Sequence, residues 1–377
     1  MEITNNKICI LTSVHPVFDS RIFQKEAKTL AGAGYHVTLL GPHTMNETVD
    51  GVEIVAISKP KNRFMRVLGT TCKTLSVALR QKARVYHFHD PDLLPLGVIL
   101  KLLGKKVVYD VHEDYHKAIL SREYMHQAFK KLVSYTFDIF EKLCARCFDN
   151  IVAATESIQE RFEAGKTVCI HNYAHFSGDA VIEKGERRKA FTIIFCGRFF
   201  GEEGGLSNVL KAIELLKNHD LLLVLIGEFI SQAYGDFLKS HRGWSRVEHL
   251  GKAPHSVVMR ELARSDLGIE CFPRTPNSEY SLPTKVFEYM AAGLPVLCSD
   301  LPGLRSVVKN NQCGICVDER DPGKIAAEIE FFINNPALRK QMGENGKKAV
   351  LEKYNWEIEG NRLLKLYRNL FATSCSC

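Results

Sequence analysis

The chain offers no apolar run long enough to cross a bilayer. The run 93–103 is interrupted by Lys101 and stops far short of the roughly 20 residues that a spanning helix needs. The first residues, Met1-Glu-Ile-Thr-Asn-Asn-Lys7, lack the basic segment and long apolar core of a leader, and Ile8-Cys-Ile-Leu-Thr12 reads as a first strand instead. A cytoplasmic location is therefore expected, including the inner face of the cytoplasmic membrane. Low-complexity tracts are missing as well, and 45% hydrophobic with 25% charged residues is the composition of a folded globular protein. Strong charge of one sign is absent too, because 50 basic against 43 acidic residues leave only +7. That balance suits phosphates or lipid headgroups and falls short of a nucleic-acid binder, so no nucleic-acid partner is expected. No GxGxxG follows either candidate first strand, which sets aside a dehydrogenase.

Cysteine, by contrast, is plentiful, at twelve residues with two CxxC pairs, Cys144/Cys147 and Cys313/Cys316, and Cys375 and Cys377 at the tail. A four-thiolate zinc site would need the two pairs to meet in space. The first pair lies in a helical pattern and the second enters a strand. Cys9, Cys169, Cys196 and Cys298 fall inside apolar strand runs, where thiols pack as small hydrophobes. The expectation is reduced, structural cysteines and no metal.

What the chain does have is alternation. Short apolar runs at 8–12, 36–40, 85–89, 107–111, 151–154 and 167–171 are separated by helical patterns such as 21–33 and 92–103. After Asn172 the pattern lapses, and charged residues dominate from 183 to 189. A fresh alternation follows, with strands at 192–196, 221–226, 247–250, 266–270, 296–299 and 313–317. Between the first two of these, Leu206, Val209, Leu210, Ile213 and Leu216 form one helical stripe. Strand and helix in turn predict parallel sheets and an α/β class. At 377 residues the chain is too long for one core, so two domains are expected, 1–176 and 177–355, followed by a helical segment 356–377.

One stretch carries more chemistry than the rest, Ser281-Leu-Pro-Thr-Lys-Val-Phe-Glu-Tyr-Met-Ala-Ala-Gly-Leu-Pro-Val296. Val286, Phe287, Met290 and Ala291 share one buried face, and Gly293 followed by Pro295 ends the helix. Thr284 is the expected N-cap, with Lys285 beside it, so the helix start would suit a diphosphate. Glu288, one turn on, would accept hydrogen bonds from sugar hydroxyls. The same residues suit an ordinary capped surface helix, and local physics alone favours neither reading.

The segment resembles the donor-binding signature LPxKxFEYMAAGxPV of the retaining glycosyltransferases of family four. That resemblance implies the GT-B architecture, two Rossmann-like doubly wound domains facing a cleft, with 356–377 returning toward the first domain. It implies that Leu282, Pro283, Thr284, Lys285 and Glu288 hold the diphosphate and ribose of a nucleotide sugar. The loop Phe195-Cys-Gly-Arg-Phe-Phe-Gly-Glu-Glu-Gly-Gly205 has four glycines for close backbone approach and a guanidinium for phosphate. It resembles the family's GRLxxxKG loop, which assigns Gly197, Arg198 and Gly204 to the donor. Glu203 stands where the family has a lysine, so one expected cation is an anion here. Many relatives carry E-x7-E, and this chain has Tyr280 at the first glutamate, with Glu279 one residue off. His112, in Val107-Val-Tyr-Asp-Val-His-Glu-Asp114, resembles the histidine that hydrogen-bonds the sugar. His15 and Arg21, after the first strand, are candidates for the acceptor. Asp90-Pro-Asp92 mimics a metal-binding DxD, but Pro91 opens a helix that Asp90 can cap, and the resembled family needs no metal. Asp19 is a candidate cap of the helix that follows it.

From Lys59 to Arg84 the chain carries eight basic and no acidic residues among interleaved apolar ones. This reads either as a basic amphipathic surface for anionic lipid or as an ordinary packed helix with a solvated side. The function the resemblance implies is metal-independent, retaining transfer of a sugar from a nucleotide-diphosphate donor, a UDP-sugar, to a glycan or polyprenyl-linked acceptor in polysaccharide synthesis, with no cofactor. Catalytic roles fall to His112, Arg198, Lys285 and Glu288. The alternatives are a nucleotide-sugar 2-epimerase of the same fold, disfavoured by the lack of a carboxylate-rich acid/base set, and a silent sugar-nucleotide-binding partner subunit.

Overall fold

A computed structural model describes residues 6–58, 71–120, 126–175, 188–201 and 205–372, with the backbone alone at 71–73. Residues 59–70 of the basic stretch, residues 176–187 after Asn172, and Glu203 and Gly204 lie outside the described residues. The chain forms two compact units, one of residues 1–172 with 356–377 and one of residues 173–355.

The first unit is built on an eight-stranded sheet. Its strands are β1 (Lys7–Leu11), β2 (His36–Pro42), β3 (Glu47–Val49), β4 (Val52–Ile57), β5 (Val85–Phe88), β6 (Lys106–Val111), β7 (Asn150–Ala153) and β8 (Thr167–Cys169). They lie in the order β3-β4-β2-β1-β5-β6-β7-β8. Every pairing is parallel except that of β3 with β4. β1, buried from Ile8 to Leu11, is an unbroken apolar run because helices cover both of its faces. The expected helix at 21–33 is two pieces, a π-helical turn Ile22–Ala27 and the short helix Lys28–Gly32. Asp19 Oδ1 accepts from the backbone N–H of Arg21 at 2.8 Å and of Ile22 at 3.2 Å, which fixes the start of the turn. The terminal helix Trp356–Ala372 packs its Trp356, Leu363, Leu366 and Tyr367 into the core of this unit. Trp356 Nε1 donates to Thr29 Oγ1 at 2.8 Å, and the Tyr367 hydroxyl pairs with His87 Nδ1 at 2.8 Å.

The second unit holds six parallel strands, β9 (Phe191–Phe200), β10 (Leu221–Phe229), β11 (Val247–Gly251), β12 (Leu267–Glu270), β13 (Val296–Ser299) and β14 (Gly314–Val317), in the order β11-β10-β9-β12-β13-β14. Two apolar clusters lie on the two faces of this sheet. One contains the stripe of the helix Leu206–Leu215, and the other contains Val286, Phe287 and Met290 of the helix Thr284–Ala291. No disulfide joins the described cysteines, most of which are buried. Among the described residues, no helix is long and apolar enough to cross a membrane.

Candidate functional site

In an open parallel sheet, ligands collect beyond the carboxyl ends of strands where the strand order reverses. In the second unit that reversal lies between β9 and β12, since the chain builds outward from β9 through β10 to β11 and then returns to β9's other side. A cavity of about 400 Å³ opens there, lined by Gly197 and Phe199 from β9, Glu270 and Phe272 from the end of β12, and Ser278 and Pro283 from the loop that follows. The sequence-predicted residues Gly197 and Pro283 thus meet at one cavity.

Gly205 lets the chain make the turn after β9. Its φ is +65°, and a Cβ there would lie 2.3 Å from the Cys271 carbonyl oxygen, so only glycine fits against the end of β12. Arg198 is exposed, with its guanidinium 5.5 Å from the ring centre of Phe199, one of the lining residues. The helix Thr284–Ala291 starts directly after Pro283, another of the lining residues. Its N-cap is Pro283, not Thr284, and no side chain caps it. Proline with φ −58° and ψ 132° already holds the extended geometry a cap requires, which displaces Thr284 into the first turn. The consequence favours a ligand: no threonine hydroxyl competes for the N–H groups of Thr284 and Lys285, which have no acceptor within the helix, whereas that of Val286 donates to the Pro283 carbonyl at 3.2 Å. Gly293, at φ +74°, ends this helix as its sequence predicted.

Lys285 Nζ is bonded to Glu288 Oε2 at 3.0 Å, so the cation and the carboxylate expected to serve the donor neutralise each other here. Leu282 packs on the neighbouring apolar cluster, and Glu279 lies 3.6 Å from Arg274. Tyr280 is about half exposed, at 45%. The residue that sequence reasoning missed is Glu270. It is buried, lines the cavity, and takes a long 3.5 Å hydrogen bond from the Tyr289 hydroxyl, which in turn accepts from the Cys196 N–H at 2.9 Å. Burial pushes the Glu270 carboxyl up to about 8; Lys285 and the Tyr289 hydroxyl pull it down, and Glu288 adds to the rise. A neutral carboxyl at the wall of a polar cavity is a hydrogen-bond donor as well as an acceptor. The one available signal was a carboxylate ending an otherwise apolar strand.

In the first unit the strand order reverses between β1 and β5. His15, on the loop after β1, and His112, just past β6, meet there with their Nε2 atoms 3.1 Å apart. Asp90 does not cap its own helix. Its Oδ2 accepts from Thr12 Oγ1 at 2.7 Å and from the Ser13 N–H at 2.6 Å, and Asp92 accepts from Ser13 Oγ at 2.9 Å. The DxD-like pair therefore ties down the loop after β1. Arg21, a candidate acceptor contact, is instead 2% exposed and locked in the core. It donates to Asp110 Oδ2 at 2.8 Å and to the Ile170 carbonyl at 3.0 Å, and lies 3.0 Å from Glu26 Oε1.

Burial opposes charge on Asp110, but Arg21 and the nearby histidines hold its carboxyl well below the usual range. Burial also disfavours a charged His112, yet Asp110, with Oδ1 3.6 Å from Nδ1, wins and raises it. His87 is pushed down to about 4 by burial, and His89 is lowered by the same cause. Glu26, His87, His89 and Asp110 bring metal-ligand atoms within 4.8 Å of one another. Arg21 already donates to Asp110 at 2.8 Å and lies 3.0 Å from Glu26, however, so its guanidinium supplies the cation of this cluster.

The family described as Glycosyl transferases group 1 matches residues 179–349, and Glycosyltransferase Family 4 matches residues 21–173. A phosphatidyl-myo-inositol mannosyltransferase of Mycobacterium leprae is 27% identical over 198 residues, 51% of this chain and 50% of that protein. The chain thus spans half the length of that relative. An uncharacterized glycosyltransferase of Methanocaldococcus jannaschii is 25% identical over 298 residues, 73% of this chain and 72% of its own. The solved sucrose-phosphate synthase of Thermosynechococcus elongatus superposes with a TM-score of 0.76 at 18% identity, covering 98% of this chain and all of that one. HepE of Anabaena, solved in complex with UDP and glucose, gives 0.72 at 14% identity, covering 96% of this chain and 99% of its own.

Proposed function

We propose, for a chain that belongs to the glycosyl transferases group 1 and is a glycosyltransferase of GT-B fold, that it transfers a sugar from a UDP-sugar to a growing glycan on a polyprenyl-type lipid. Transfer proceeds with retention at the anomeric carbon and without a metal, in the cytoplasm or at the inner face of its membrane. One observation carries the donor half of this reading. The cavity at the strand-order reversal of the second sheet is lined both by Gly197 of β9 and by Pro283, the residue from which the helix Thr284–Ala291 starts without a side-chain cap.

That pairing suits a diphosphate leaving group. Cleavage at the anomeric carbon builds negative charge on the diphosphate and oxocarbenium character on the sugar. Groups aimed at the diphosphate stabilise the transition state more than the ground state. Arg198, Lys285 and the first N–H groups of the helix take that role. Lys285 turns from Glu288 to phosphate, and Glu288 then accepts from sugar hydroxyls. Glu270, neutral when buried, donates to a donor oxygen. The leaving phosphate takes the acceptor's proton as the acceptor attacks the face it vacates, so no protein nucleophile is required. In the first unit, His112 and His15 are the polar side chains offered to substrate, with Asp110 3.6 Å from His112 and Asp90 3.4 Å from His15 to orient them. The UDP of the Anabaena neighbour and the mannosyl transfer of the mycobacterial relative support a nucleotide-sugar donor.

Incubation with UDP-sugars and a polyprenyl-phosphate-linked glycan tests the proposal by release of UDP. Scrambling of the sugar at C2 without UDP release would mark an epimerase, and binding without turnover would mark a silent subunit. Calorimetry with UDP that detects no binding would remove the donor reading altogether.

A further inference from the structure

The helix Gln127–Cys147 of the first unit inverts the usual pattern of a surface helix. Its two carboxylates face inward. Glu141 is fully buried and bonds Arg161 at 2.6 Å and the Tyr109 hydroxyl at 2.8 Å; Asp138 bonds Arg161 at 2.7 Å and Lys142 at 2.8 Å. Its large apolar residues face outward instead. Phe129, Leu132, Tyr135, Ile139, Phe140 and Leu143 fall on one side of the helix and are each between 41% and 65% exposed. The neighbouring helix Leu94–Leu102, which packs against this one, ends in a second exposed group, Ile99, Leu102 and Leu103.

A contiguous apolar stripe of this length on a folded protein marks an interface. Its charge says with what. Lys131 flanks the stripe near the start of the helix and Arg146 lies beside it near the end, both exposed, and the inward turn of Asp138 and Glu141 removes negative charge from that face. Two copies of such a face would repel each other, and a nucleic acid would leave the apolar stripe in water. A bilayer rich in anionic lipid satisfies both parts, taking the apolar side chains at the headgroup boundary and the cations at the phosphates. Twenty-one residues give a helix about 30 Å long, which lies along the surface. We infer that the helix Gln127–Cys147 docks this protein on an anionic membrane. The contact names a surface for the lipid-linked acceptor of the proposed function, but its test uses lipid alone, so failure here would leave the transfer reading standing.

The test is sedimentation of the full chain with vesicles of phosphatidylglycerol and phosphatidylcholine, without substrate. The wild type is expected to co-sediment with the mixed vesicles and to bind pure phosphatidylcholine at least about tenfold more weakly, since each surface cation contributes roughly 1 kcal/mol at an anionic bilayer. Leu132→Glu with Phe140→Glu is expected to lower binding to the mixed vesicles by at least about tenfold. Both residues are exposed, so an unchanged thermal midpoint is expected for that variant. Lys131→Gln with Arg146→Gln provides a second variant that leaves the apolar stripe intact, and is expected to weaken binding and flatten its salt dependence. Wild-type binding by both variants would overturn the inference, as would absence of binding to the anionic vesicles. So would a lipid-free dimer, seen by analytical ultracentrifugation, that Leu132→Glu abolishes.

Discussion

Replacing Glu270 by Gln keeps the shape of the carboxyl and removes its ability to ionise. The side chain is buried at the cavity wall, and burial raises its acid from 4.5 to about 8. In the unfolded chain the same group loses its proton near the ordinary value. Between those two values the folded protein therefore holds a proton that the unfolded chain has released, so rising pH drains stability from the wild type across that window. The loss follows about 1.4 kcal/mol per pH unit and reaches about 3 kcal/mol by pH 7, as an upper figure given the nearby Lys285. The Gln variant escapes this loss, and its amide still offers an oxygen to the Tyr289 hydroxyl. Urea unfolding of both proteins from about pH 5 to about pH 8 measures the difference. The variant should match the wild type at the acid end and become progressively more stable than it toward the alkaline end. Parallel stability curves would refute the claim that Glu270 is a neutral acid, and with it the hydrogen-bond-donor role at the cavity.

Asp110→Asn should cost about 3–5 kcal/mol of stability, because it strips the buried Arg21 guanidinium of its principal anion; a thermal midpoint within a degree or two of wild type would contradict this. Gly205→Ala should destabilise by more than about 2 kcal/mol, since a Cβ would meet the Cys271 carbonyl oxygen at 2.3 Å in a left-handed backbone, and chemical denaturation reads it directly. Arg198→Ala and Glu288→Ala should each lower kcat/KM by at least about tenfold, with the exposed Arg198 contributing within about 0.5 kcal/mol to stability. Near-normal turnover in both would move the donor site elsewhere.

Much of the scaffold could be read from periodicity alone, because parallel strands buried on both faces write themselves as unbroken apolar runs. β1, β5, β9 and β13 fall within a residue or two of expectation at their starts for this reason. The hairpin of β3 and β4 was missed although Asp50-Gly51 stands between Val49 and Val52, and Asp50 and Gly51 both adopt positive φ there, at 51° and 78°. Its strands alternate weakly, since β3 is an edge strand paired only with β4. The cap of the helix Thr284–Ala291 was misread by one residue because threonine is the stronger cap by composition, whereas proline wins by geometry. Asp90 was misread for a different reason. A local motif suggested a local bond, while its actual partners, Thr12 and Ser13, are 78 and 77 positions away in the sequence.

The same limit explains why two carboxylates of similar sequence setting have opposite chemistry. Asp110 and Glu270 each stand at or next to the end of a buried strand, in the first and second unit respectively. Both are desolvated, which alone would leave both neutral. Asp110 is held ionised because Arg21, 89 residues earlier, reaches it at 2.8 Å through the core. Glu270 has no such partner, since the cation acting on it, Lys285, is bonded at 3.0 Å to Glu288. A diphosphate that drew Lys285 toward itself would weaken the larger of the two attractions that favour ionised Glu270, the other being the Tyr289 hydroxyl, and would add negative charge beside it. Donor binding should therefore raise the Glu270 acid further and take up protons. Calorimetry of UDP binding near pH 8 in buffers of different ionisation enthalpy reads this as proton uptake by the wild type that is lost in Glu270→Gln, and equal uptake by both proteins would refute it.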